Sequence, residues 1–203
     1  MIVYKHKNIS DLKESELVEF LITNFGQFFY KSIRIQSSTN QFFSYEYFPG
    51  IIGDLDLLLV DPNKPQHSIE FEFKKIKLKD KADLSEIMNK LGGLKKVIHQ
   101  INNRLEIGFF KVYLGILIVK QIGNNYKEKV IFRRASLKSL NKIENSEYLK
   151  KLDKRTGIIF FQLNQPMGEN FYECCGLTIE VLREAKPQIQ PLHLTDTISK
   201  LFC

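Results

Sequence analysis

The stretch that decides the fold is Gly53-Asp54-Leu55-Asp56-Leu57-Leu58-Leu59-Val60, then Asp61-Pro62-Asn63-Lys64-Pro65, then Ser68-Ile69-Glu70-Phe71-Glu72-Phe73-Lys74-Lys75-Ile76. Leu55 to Val60 is a short, nearly all-apolar run, the pattern of a strand covered on both faces. The Asp-Pro-Asn-Lys-Pro segment is a strong turn signal. Ser68 to Ile76 alternates, with Ile69, Phe71 and Phe73 on one face and Glu70, Glu72 and Lys74 on the other. Together they read as two antiparallel strands around a tight connection.

Asp56 is out of place in that apolar run. Burying a lone carboxylate costs several kcal/mol unless it is paired or bound to a metal. Asp54 lies two residues earlier on the same face, nearer the Gly53 bend where water can reach it. A hairpin symmetric about Lys64 sets Val60 opposite Ser68 and Asp56 opposite Glu72. Centring it on Asn63 would set Glu70 opposite Asp56 instead. Facing residues in such a pair have Cβ atoms about 4.5–5.5 Å apart, so both carboxylates could reach one ion. Hard oxygen ligands of this kind suit Mg²⁺ or Mn²⁺. Lys74, two residues further along the same face, would bring an ammonium close by, and the C=O of Phe73 is a further candidate ligand. These are parts for phosphodiester hydrolysis. A Glu-x-Lys triplet alone is an ordinary half-exposed strand. The combination with an Asp in an apolar strand, a Gly before it and a tight turn carries the signal.

That combination resembles the PD-(D/E)XK nuclease superfamily: Gly53-Asp54-Leu55-Asp56-Leu57, followed sixteen residues after Asp56 by Glu72-Phe73-Lys74. The resemblance covers roughly residues 10–120, and the helix before and the helix–strand pair after stand in that fold's order. It implies an α/β (α+β), restriction-endonuclease-like fold: a central mixed β-sheet flanked by helices, here with a mixed C-terminal extension. It also implies Asp56 and Glu72 as ligands of Mg²⁺ (or Mn²⁺), and Lys74 as the catalytic lysine. Members are mostly DNA endonucleases, exonucleases, junction resolvases and repair or defence nucleases. No Pro precedes the metal-binding Asp here, and Asp54 becomes the ligand if the strand starts earlier. The alternative is a nuclease-like fold kept as a non-catalytic module binding nucleic acid or a protein partner.

Two further residues have double readings. Many relatives contribute a carboxylate from the first helix, for which Glu14, Glu16 and Glu19 are candidates here; Glu14 falls in the apolar stripe of Leu17 and Leu21 and could point toward the sheet. It also fits an Asp11-x-x-Glu14 capping box. Gln100 lies at the edge of an apolar stripe, where relatives often carry a Gln or Lys facing the site; a solvated helix residue reads equally well.

The rest of the chain frames this region. Leu17, Val18, Leu21 and Phe25 recur at helical spacing, with Gly26 as a stop; Phe28 to Ile35 and Gln41 to Phe48 read as strands. Helical residues resume near Ala82, and Leu94, Val97, Ile98, Ile101 and Leu105 form a second stripe. Phe109–Lys120, Lys129–Phe132 and Gly157–Leu163 read as strands, with a lysine-rich helix near Leu137–Leu152. Thr178–Ala185 is helix or strand, and the tail with Pro187 and Pro191 looks irregular. We expect one domain over 1–203, with a nuclease-like core over 10–120 and residues 121–203 as its C-terminal part.

Composition excludes more than it assigns. Of 203 residues, 43% are hydrophobic and 26% charged, enough to bury a core without a disulfide or metal staple. The N-terminus lacks the apolar core of a secretory signal, and no apolar run approaches the ~18 residues of a membrane span. A cytoplasmic protein is the expectation. The three cysteines and four histidines lack zinc spacing, and there is no P-loop, G-x-G-x-x-G or G-x-S-x-G. Thirty Lys and Arg against 23 Asp and Glu give +7, which favours a polyanionic partner. Lys75, Lys77 and Lys79, with Lys74 and Lys81, form a basic stretch suited to phosphate contacts. Arg133-Arg134 and Tyr45, Tyr47 and Phe48 are weaker candidates for the same partner. The expected partners are nucleic acid, DNA ahead of RNA, and a homodimer or larger defence or repair complex.

Overall fold

The computed structural model describes residues 8–35, 41–45, 48, 54–78, 91–122, 141, 143–166, 170 and 175–202. Helix α1 (Glu14–Ser32) is followed by strands β1 (Gln41–Tyr45), β2 (Leu55–Val60) and β3 (Ile69–Leu78), helix α2 (Lys95–Ile107) and strand β4 (Lys111–Ile122). Strands β5 (Gly157–Pro166) and β6 (Gly176–Arg183) and helix α3 (Leu192–Ser199) complete the chain. The six strands form one sheet in the order β1-β2-β3-β4-β5-β6. The β1–β2, β2–β3 and β5–β6 pairs are antiparallel, while β3–β4 and β4–β5 are parallel. This is the architecture the resemblance implies, a central mixed sheet flanked by helices. The C-terminal part adds β5 and β6 to that same sheet.

Each face of the sheet has its own core. On one, Leu17, Phe20, Leu21 and Phe29 of α1 bury against Leu57, Leu59, Phe71, Phe73, Leu117 and Phe161. On the other, Val97, Ile98, Ile101 and Leu105 of α2, with Leu194 and Ile198 of α3, cover Leu58, Ile76, Leu114, Ile116 and Phe160. Strand β3 therefore has the expected two faces, with Phe71 and Phe73 toward α1 and the Glu70, Glu72, Lys74 face toward α2. Close packing fixes its position. The Phe73 ring lies over Gly115 of the paired strand, where an added Cβ would fall 2.4 Å from a ring carbon. Gly108, at φ 101°, ends α2 in the left-handed conformation that glycine adopts without strain.

Several elements differ from the sequence expectation. Helix α1 does not stop at Gly26; it kinks at Phe25 and runs on to Ser32, so the expected strand from Phe28 is helical. Phe29 and Tyr30 bury along that continuation, and the aromatic and β-branched residues of 28–35, which favour strands, explain the misreading. The N-terminal box is not Asp11 with Glu14. The backbone N–H of Lys13 donates to Glu16 Oε2 at 2.6 Å, and Asp11 sits in a 3₁₀ turn, Ile9–Asp11. Of the stretch Thr178–Ala185, the part up to Arg183 is strand, within β6, and the tail contains α3. The expected strand at 129–132, the helical residues near Ala82 and Arg133-Arg134 lie outside the described residues.

Candidate metal and phosphodiester site

The β2–β3 register pairs Leu57 with Phe71, Leu58 with Glu70 and Leu59 with Ile69. That is the hairpin centred on Lys64, and one more step in the same register sets Asp56 against Glu72. Strand pairing ends at this point, because β2 begins at Leu55 while β3 continues to Leu78. The N–H groups of Phe73 and Lys75, two residues apart on the same edge of β3, therefore have no β2 carbonyl to meet. Carboxylates take them instead: Phe73 N–H donates to Asp56 Oδ2 at 2.6 Å, and Lys75 N–H donates to Glu14 Oε2. Glu14, the first residue of α1, thus reaches around the sheet edge from the opposite face.

On the α2 side, Glu70 is fully buried and Glu72 is 5% exposed. Arg104 of α2, 1% exposed, enters between them and the start of β2. Its Nη2 donates to the backbone carbonyl of Asp54 at 2.8 Å, and its Nε lies 3.9 Å from Glu70 Oε1. Among the described residues, neither oxygen of Glu70 accepts a hydrogen bond, and neither does Glu72 Oε2. This is an acid-rich cluster held against desolvation and mutual repulsion, with Arg104 as its counter-charge. Burial is the first cause pushing the Asp56 carboxyl up to about 6, with Glu14 and Asp54 adding to it. Burial and then the Asp56 charge push Glu72 up to about 8. Burial followed by Glu72 raises Glu70 well above the carboxylate range, against the pull of Arg104.

The proposed residues are distributed as follows. Asp56 and Glu72 come together, Glu14 joins them at the edge, and Asp54 is exposed at the mouth, close enough to act on both charges. Lys74 is half-buried on the Glu72 face, and Gln100 is half-buried on α2, one turn before Arg104. Lys75 is not presented to solvent as a phosphate contact. Its Nζ donates to the carbonyls of Ser10 at 2.7 Å and Leu12, which puts this lysine to internal use. Lys77 is exposed and pairs with Asp11 at 3.5 Å, and Lys79 lies outside the described residues. Of the aromatics, Phe48 is fully buried, a core residue and not a base-stacking one.

The residues missed from sequence are Arg104 and the buried role of Glu70. The signal was available: Arg104 falls three residues after Ile101 and next to Leu105, inside the apolar stripe of its helix.

The donor set fits a small divalent cation. It offers hard carboxylate oxygens, one of them buried without a hydrogen bond, held against mutual repulsion. Among the described residues no group of three or more His, Cys, Asp or Glu side chains converges as a metal cage. Two carboxylates suit Mg²⁺, which keeps several coordination positions for water and phosphate oxygens.

No protein-family model matches this sequence, and no curated protein matches it. Three chains among solved structures match. One is SfsA of Pyrococcus furiosus in complex with Ca²⁺, 14% identical, covering 91% of this chain and 69% of that one at a TM-score of 0.37.

Proposed function

We propose that this chain is a metal-dependent nuclease of the PD-(D/E)XK type, hydrolysing phosphodiester bonds of DNA. One observation carries the reading: Asp56 and Glu72 fall opposite each other one step beyond the last β2–β3 pair, desolvated and mutually repelling, with a Glu72 oxygen that nothing among the described residues satisfies. Structural carboxylates are rarely kept at such a cost, and functional ones often are.

Asp56 and Glu72 would hold Mg²⁺ or Mn²⁺, which when bound supplies Lewis-acid polarisation of the scissile phosphate. Asp56 is fixed for this by the Phe73 N–H, which donates to one of its two oxygens. Lys74, on the same face, donates to the attacking water and offsets charge developing on the phosphoryl oxygens. Arg104 stabilises the acids from behind and pins the carbonyl of Asp54, the residue through which the chain enters β2. Lys77 contributes sequence-independent attraction for the phosphate backbone.

Plasmid and linear DNA incubated with purified protein and Mg²⁺, Mn²⁺ or EDTA test the reading. Metal-dependent cleavage should be lost in Asp56→Asn and in Lys74→Ala with folding intact. Equal cleavage by wild type and both variants would assign the activity to a contaminant. Salt-sensitive DNA binding that ignores metal and survives Asp56→Asn, without cleavage, would mark a non-catalytic nucleic-acid-binding module instead.

A further inference from the structure

Lys75 makes three contacts that no phosphate-binding lysine needs. Its ammonium reaches the carbonyls of Ser10 and Leu12, on either side of the last residue of the Ile9–Asp11 turn. Its own backbone N–H donates to the carboxylate of Glu14, two residues beyond Leu12. The turn is held from a second strand as well, since Ile9 N–H donates to Gln165 Oε1 at 2.7 Å. One residue of β3 thus grips the chain on both sides of the point where α1 begins. Released from that grip, Glu14 would be carried by the first turn of a helix whose N-terminal segment keeps the Gln165 contact to β5, the exposed Lys77–Asp11 pair and the buried Ile9 and Leu12.

We propose that Lys75 is a positioning residue that sets Glu14 at the edge of the Asp56–Glu72 site. The proposal deepens the nuclease reading and rests on it for its catalytic consequence, but the placement of Glu14 can be tested without turnover. Lys74 and Lys75 then divide the work by the pleat of the strand. Lys74, on the α2 face, serves the reacting phosphate, whereas Lys75, on the α1 face, serves the protein's own backbone.

The first measurement is the backbone amide of residue 75 in ¹⁵N spectra. A carboxylate acceptor shifts an amide proton downfield, so this signal should move upfield in Glu14→Gln and move the same way in Lys75→Met. An unmoved residue-75 amide in Lys75→Met overturns the proposal. If Lys75→Met does not fold, Lys75→Gln, which keeps a donor without the charge, replaces it under the same criterion. The second measurement is DNA affinity against salt in EDTA. Lys75→Met should leave the slope of log K against log salt unchanged, whereas a phosphate contact would reduce it by about 1. A reduced slope refutes the positioning role.

In the active protein, Lys75→Met should lower kcat roughly 10–100-fold with little change in KM. Combined with Glu14→Gln, it should add nothing beyond Glu14→Gln alone, because both changes remove one interaction. Multiplicative losses would overturn the proposal. Absence of cleavage in wild type would refute the nuclease reading and leave the amide measurement to decide the placement of Glu14.

Discussion

Glu72→Gln should make the metal-free protein more stable, and by an amount that grows with pH. Glu72 titrates near 4.5 in an unfolded chain and is pushed up to about 8 by burial and by Asp56. Between those values the folded state holds a proton that the unfolded state has released, so stability falls as pH rises through the window. At pH 7 the difference corresponds to roughly 3 kcal/mol, from ~1.4 kcal/mol per unit. Glutamine has the shape of the protonated acid and carries no such penalty. For a chain of this size, about 2–4 °C per kcal/mol predicts a gain of roughly 6–12 °C at pH 7. At pH 5, close to the unfolded value, less than about 1 kcal/mol is at stake, a gain of only a few degrees. Thermal melts in EDTA from pH 5 to 8 measure this directly. Millimolar Mg²⁺ should raise the wild-type midpoint and leave the variant nearly unmoved. A variant that melts at or below wild type at pH 7–8, or a gain independent of pH, would refute the claim that Glu72 is held against its own desolvation.

Arg104→Met removes one partner of a fully buried pair and should cost about 3–5 kcal/mol in chemical denaturation; Glu70→Gln combined with it should recover much of that loss. Gly115→Ala drives a methyl to 2.4 Å from the Phe73 ring, and should cost roughly 1–3 kcal/mol and lower cleavage by shifting the strand that carries Glu72 and Lys74. Arg34 closes α1 in the left-handed region at φ 58° and pairs at 3.6 Å with Glu184 through an exposed contact. Arg34→Gly should therefore stabilise by roughly 1 kcal/mol, since the relieved strain exceeds the value of that pair.

The hairpin was legible because its signals are local and agree. A turn bounded by two prolines sets the register, and an Asp among leucines has to be explained. The Glu70–Arg104 pair was hidden because its members lie 34 residues apart and meet only once α2 packs on the sheet. The basic stretch misled at Lys75 because charge counts say nothing of direction: alternate strand residues face opposite layers, and one of those layers is the protein itself. Helix α1 outran its expected end because Gly26 costs a long, buried helix little. Its missing side chain would have met only the ring edge of Tyr30 at 3.6 Å. Helix α3 was obscured by prolines, although Leu194 and Ile198 already stood at helical spacing.

The margin of β3 beyond the start of β2, where Asp56 and Glu14 take the place of a strand partner, has a consequence for how the protein can be studied. Those two carboxylates stopper a row of strand donors that would otherwise be open to pairing with another chain. Alanine at either position therefore does two things at once: it removes a charge from the pocket and it uncorks a sticky edge. An alanine variant that precipitates would say nothing about metal. Asn and Gln keep an oxygen over the same N–H while dropping the charge, so they are the substitutions that separate the chemistry of this site from its second task of keeping the molecules apart.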